Sequence, residues 1–253
     1  MAAEASAPAV PEPAGSASRS DLLVAVGREA LPSLFAALVA GFLIAGVGGR
    51  LAMFLLRVTS GSHVIGIESD DGFIIGRFTA ASVDLIAALT AGAVIVMGPV
   101  YMVARRWVPS RWRVPVFAVV FGVLGGGALV HADGIDFTLL TPRPLAAGLF
   151  VLIPAAFAAA LEPLFELGRR LTARAPAWLF MVAALVSTVG VLIFGPPGWA
   201  IGAGIWLAWA AGYGSHLARL LRTPQWLWLG RIGLVAFAAI GAFELGRDLT
   251  ALF

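Results

Sequence analysis

Ser33 to Arg57 reads "SLFAALVAGFLIAGVGGRLAMFLLR", an apolar stretch interrupted by one charge, Arg50, and closed by a second, Arg57. A helix needs about 20 mainly apolar residues to cross the hydrocarbon core of a bilayer, so this stretch reads as a membrane span. The rest of the chain repeats the pattern. Of 253 residues 60% are hydrophobic and 12% charged, against about 25% charged in a soluble domain. Seven segments qualify as spans: 33–57, 80–104, 114–131, 145–167, 177–195, 199–217 and 229–248. The fifth and sixth are joined by "FGPPG" (Phe194 to Gly198), a turn signal that makes them a helical hairpin.

Charge placement orients the bundle. Twelve of the seventeen basic residues, all of them arginine, fall on one predicted side, notably Arg105, Arg106, Arg111, Arg113, Arg169, Arg170 and Arg174. Short cytoplasmic loops retain positive charge, so this side is expected in the cytoplasm with the N-terminus, and the C-terminus outside. Eight of the fourteen acids fall on the other side. Trp107, Trp112, Trp178, Trp226 and Trp228 lie near the arginine-rich interface, as an aromatic belt does. The basic residues punctuate apolar segments and form no basic face on a soluble domain, which argues against nucleic acid as a partner. With no cysteine, thiolate catalysis, disulfides and zinc–thiolate sites are excluded.

The expected fold is therefore an all-α polytopic transmembrane bundle of about seven spans in a bacterial cytoplasmic membrane. Residues 1–22, rich in Ala, Pro and Ser, read as a disordered cytoplasmic tail without the basic start of a secretory signal, and residues 23–253 as a single transmembrane helical domain. Between the first two spans, His63 to Thr79 alternates apolar and polar residues around Asp71-Gly72, which predicts a short extracytoplasmic β-hairpin. Gly122-x-x-x-Gly126 and Gly198-x-x-x-Gly202 predict close helix approach. "FELGRRLTA" (Phe165 to Ala173) and "FELGRDLTA" (Phe243 to Ala251) agree at eight of nine positions, either as a trace of inverted three-helix repeats or as two uses of one helix ending.

Candidate functional residues concentrate where charge meets these spans. Arg50 lies two-thirds of the way across span one under Gly46, Gly48 and Gly49, and Arg57 follows two turns outward on nearly the same face. An arginine at depth must snorkel or pair, which leaves an anion site or a structural salt bridge. At the outer rim, "HADGIDFTLLTPRP" carries His131, Asp133 and Asp136 in the order H-x-D-x-x-D, followed by Arg143. Imidazole and carboxylates can bind a divalent cation, but three ligands in one loop fix no geometry; no metal or cofactor is expected, and capping or pairing with arginine is the competing role. Arg77 and Asp84 share a helix face if span two begins near Arg77. Glu244, Arg247 and Asp248, at i, i+3 and i+4, can pair along span seven. Together these residues form an expected arginine–carboxylate network at the outer mouth. At the inner end Glu166 is expected to pair with Arg170, while Glu162, deeper and followed by Pro163, is a candidate proton carrier; His216 reads as a loop-facing polar residue.

"GGRLAMFLLRVTS", "DDGFIIGRFT", "DGIDFTLLTPRPLAAGLF" and "RDLTALF" together resemble an uncharacterised family of multi-pass integral membrane proteins of high-GC bacteria. The resemblance covers most of residues 44 to 253. It implies the membrane class and makes these four stretches the natural site candidates; it implies no reaction.

No phosphate-binding loop, dinucleotide fingerprint, nucleophile elbow or zinc-protease motif occurs. Small-solute or proton-linked transport is favoured over an enzyme. The alternatives are a one-sided extracytoplasmic site, in a membrane enzyme or a binding module, and a purely structural accessory protein. The expected partners are the lipid bilayer, a small solute, and a second copy or another membrane protein.

Overall fold

The computed structural model describes residues 19–68, 74–75, 77, 80–192 and 223–253. The expected sixth span, the "FGPPG" turn, the Gly198–Gly202 pair, His216, the Asp71-Gly72 turn and most of the N-terminal tail lie outside these residues.

Within them the chain is all-α. In order come α1 (Arg19–Ala40), a π-helical segment (Gly41–Gly48), α2 (Gly49–Ser60), α3 (Ala80–Gly92), a second π-helical segment (Ala93–Met97), α4 (Gly98–Ala104), α5 (Arg113–Leu129), α6 (Ile135–Leu139), α7 (Arg143–Leu171), α8 (Ala177–Leu192) and α9 (Pro224–Leu252). Five helices are long and apolar enough to cross a membrane: Leu23–Ser60, Ser82–Ala104, Ser110–Leu129, Arg143–Leu171 and Pro224–Leu252. Ala177–Val189 is a shorter apolar helix.

The first of these is continuous from α1 through α2. Its π-helical centre, "GFLIAGVG", packs against α3 at very short range. A Cβ at Gly41 would stand 2.6 Å from the Ala93 Cβ, and one at Gly46 2.9 Å from Ile86 Cγ2. Glycine here lets two backbones approach closely, as the sequence suggests. The expected Gly122–Gly126 contact also forms, with Ala155 and Val151 of α7 facing those two glycines. α5 lies between α7 and α9, and α1 between α7 and α8.

Two buried apolar clusters mark the two ends. Phe117, Phe157, Leu161, Phe165 and Tyr101 pack towards the arginine-rich end. Leu56, Val64, Val130, Phe137, Leu140 and Leu252 pack at the acid-rich end, where the connectors after α2 and α5 fold over the helix ends.

The expected β-hairpin lies partly outside the described residues. Among the described residues there is no β-strand; one antiparallel bridge joins Glu68 and Ile74. Backbone bonds run from Gly66 N to the Ile75 carbonyl (2.9 Å) and from Ile75 N to the Ile67 carbonyl (2.8 Å). Val64 and Ile75 are instead buried against helix ends. An isolated two-stranded ladder is marginal, so the burial of these side chains helps hold the connector.

Candidate functional site

At the arginine-rich end, three elements converge on one carboxylate. Tyr101 and Arg105 are one turn apart at the end of α4, Arg113 opens α5, and Glu162 sits on α7 before Pro163. The Tyr101 hydroxyl donates to Glu162 Oε2. Arg113 Nη1 donates to Oε1 at 2.7 Å and Arg105 Nη2 to the same oxygen at 3.3 Å. These side chains are largely withdrawn from the surface, 14% exposed for Glu162 against 11% and 19% for the two arginines. Removing one member would strand its partners' charges in a poorly solvated setting, which costs about 3–5 kcal/mol for a buried pair.

Packing fixes the geometry. The Arg105 guanidinium lies 3.5 Å over the Phe165 ring, one turn beyond Glu162. Tyr101 meets Phe117 and Phe165 edge-on, at centroid distances of 5.3 and 6.2 Å. Arg113 is further held by Nε donating to the Val108 carbonyl at 3.2 Å. Around this core the pairs become looser and more exposed: Arg105 to Glu29 at 3.7 Å, Arg105 to Glu166 at 3.6 Å and Arg106 to Glu29 at 3.9 Å. The network thus ties α1, α4, α5 and α7 together. A second tie joins the connector before α5 to α9: Arg231 Nε donates to the Trp107 carbonyl at 2.9 Å, and the indole packs on Gly230, where a Cβ would collide with the ring.

Glu166 pairs along its helix with Arg169 at 2.8 Å, one residue short of the expected Arg170. Residues three and four apart are equally neighbours on a helix, and Arg170 is exposed.

The outer-rim candidates are carried by several elements at the acid-rich end. Arg50 Nη2 donates to Ser82 Oγ at 2.5 Å, which brings its guanidinium level with the first turn of α3. The Arg57 guanidinium lies 5.9 Å from its own helix neighbour Phe54. Arg77, Asp84, His131 and Asp133 are exposed, whereas Asp136 is buried at the start of α6. Arg143 Nη1 reaches the Leu252 carbonyl at 3.4 Å, placing a cation at the negative end of α9. Arg247 contacts Glu244 at 2.8 Å, as the spacing predicts, and also Asp248 at 3.4 Å. No group of three His, Cys, Asp or Glu residues suited to a metal occurs among the described residues.

Sequence reading assigned Arg105 and Arg113 only an orienting role and left Tyr101 unremarked. The available signal was the Tyr101-x-x-x-Arg105 spacing, which puts phenol and guanidinium on one face, together with an acid inside the apolar part of α7. No family model, curated protein or solved structure matches the chain. The functional reading therefore rests on this geometry.

Proposed function

We propose that this is a small-solute or proton-linked transport protein of the bacterial cytoplasmic membrane, and that the Glu162 cluster closes its cytoplasmic end. The supporting observation is that one carboxylate on α7 takes donors from both α4 and α5. Such a contact can exchange for water or for a substrate's charge. Protonation or neutralisation of Glu162 would release Arg105 and Arg113 and let α4 and α5 separate from α7. The competing reading is a static brace in an accessory protein. It is supported by the donors already present on both oxygens of Glu162.

The lack of native cysteine permits a direct test. Single cysteines at Leu51, Ala52 and Met53, with topology controls at Ser110 and Gly134, are labelled by an impermeant thiol reagent in right-side-out and inverted vesicles. Transport predicts that a position beside Arg50 reacts from both faces, and that Glu162→Gln or the milder Tyr101→Phe raises the cytoplasmic rate. Reaction from one face only, unchanged in both variants, supports the brace.

A further inference from the structure

We infer that the groove between α1 and α3 holds one acyl chain of a zwitterionic phospholipid, with the phosphate at Arg50 and a primary ammonium at Asp84. The groove has a volume of about 550 Å³ and lies open along one side. Leu38 and Phe42 form one wall, and the other runs from Val83 through Ile86 and Ala87 to Ile95. Among the described residues its only polar lining residue, Thr90, turns its hydroxyl to the Ile86 carbonyl at 2.6 Å, so this wall stays apolar. From Val83 to Ile95 the helix rises about 18 Å, comparable to one leaflet of a core about 30 Å thick. The π-helical segment beginning at Gly41 adjoins this groove and brings its two walls together.

What distinguishes the groove from an ordinary lipid-facing surface is the charge at its acid-rich end. Val83 begins the groove, and Ser82 next to it carries the Arg50 guanidinium. Ser82 shares a helix face with Ile86, one edge of the groove. Asp84 is exposed and, at spacings of three and seven, shares a face with Ala87 and Ala91, the other edge. A head group over this end therefore meets a cation on one side and a carboxylate on the other. Arginine offers a planar fork of donors to a phosphodiester. Asp84 accepts hydrogen bonds, which a primary ammonium donates and a quaternary choline cannot. An anionic glycerol head group would bring no cation to Asp84. The site stands at the opposite end of the bundle from Glu162 and does not depend on the transport reading.

The test reconstitutes the full chain in nanodiscs carrying phosphatidylethanolamine, phosphatidylcholine or phosphatidylglycerol with a photoactivatable acyl chain, and maps cross-links by mass spectrometry. Val119 and Val235, exposed apolar positions on α5 and α9, serve as controls. Expected is at least a five-fold excess of ethanolamine-lipid cross-links at Ala87 and Ala91 over the controls, absent for the other two head groups. Asp84→Asn should erase the preference for ethanolamine over choline, Arg50→Gln should lower groove labelling to control level, and Ala91→Trp should block it in a chain that still elutes as wild type. Groove labelling no denser than at Val119 and Val235 overturns the proposal. So does an excess shared equally by all three head groups and untouched by Asp84→Asn, or dimer cross-links through Ala87 in place of lipid.

Discussion

Phe165–Ala173 and Phe243–Ala251 differ at one residue in nine, and they bury opposite faces. Their local chemistry is the same. Glu166 meets Arg169 and Glu244 meets Arg247, each at 2.8 Å, and the threonines turn back onto the helix, Thr172 to the Gly168 carbonyl and Thr250 to the Arg247 carbonyl. The surroundings differ. In α7 the motif buries Phe165 and Gly168; in α9 it buries Leu245 and Asp248 and leaves Phe243 70% exposed. A shift of two positions turns a helix by about 200°. α7 is covered by α1 and α5, so Phe165 lies under Arg105 and Gly168 meets Phe35, whereas α9 packs chiefly on α5 and turns Leu245 towards Gly126. The two copies bury different faces and do not occupy equivalent packing positions. Neighbours choose the face; the sequence writes the pairs along it.

The largest expected difference lies at the paired phenylalanines. Phe165→Ala should lose about 3–5 kcal/mol of unfolding free energy in mixed micelles, and Phe243→Ala no more than about 0.5 kcal/mol. Equal losses would break the comparison. Next comes the one position at which the stretches differ. Asp248 is 8% exposed, so Asp248→Arg should cost about 1–3 kcal/mol by forcing a longer side chain into a packed site beside Arg247. Arg170→Asp, on an exposed site, should cost about 0.5 kcal/mol through repulsion from Glu166 one turn away. Denaturant midpoints of the two variants report the asymmetry.

At the paired glycines the signs should separate. A Cβ on Gly168 would meet Phe35 Cδ1 at 2.7 Å, while one on Gly246 meets nothing within 4 Å. Gly168→Ala should destabilise by about 1–2 kcal/mol through overpacking, and Gly246→Ala should stabilise by about 0.5–1 kcal/mol because alanine loses less backbone entropy. Matching signs would mean that the two helices share an environment after all. Smallest are the ion pairs themselves: Glu166→Gln and Glu244→Gln should each lose under about 1 kcal/mol. Repeating both titrations at 1 M salt should shrink the two effects together, since salt screens exposed pairs.

Much of the architecture was legible because its signals are local. Long apolar segments, the glycines at the α5–α7 contact and the Glu244–Arg247 pair each follow from residues close in sequence. The candidate site was less so. Glu162 stood out as an acid in an apolar helix, but its partners lie 49, 57 and 61 residues away; spacing groups Tyr101 with Arg105 but does not direct either of them, or Arg113, to Glu162. The connector between the first two spans was legible only in part: alternation pointed to pairing, and among the described residues one bridge, Glu68 to Ile74, is present, while the burial of Val64 and Ile75 against helix ends has no local signal.

The sequence by itself determined that the chain forms long apolar helices, because hydrocarbon admits only segments whose backbone groups bond internally and whose side chains are apolar over about 20 residues. It also determined the pairs three residues apart along those helices, since helical rise and twist set them. Only the tertiary structure decided which face of each helix is buried and which arginines meet Glu162. Lipid is as apolar as a protein core, so hydropathy cannot tell a face that meets lipid from one that meets a neighbouring helix. That choice falls to shape, through contacts such as Gly168 on Phe35 and Gly230 under Trp107.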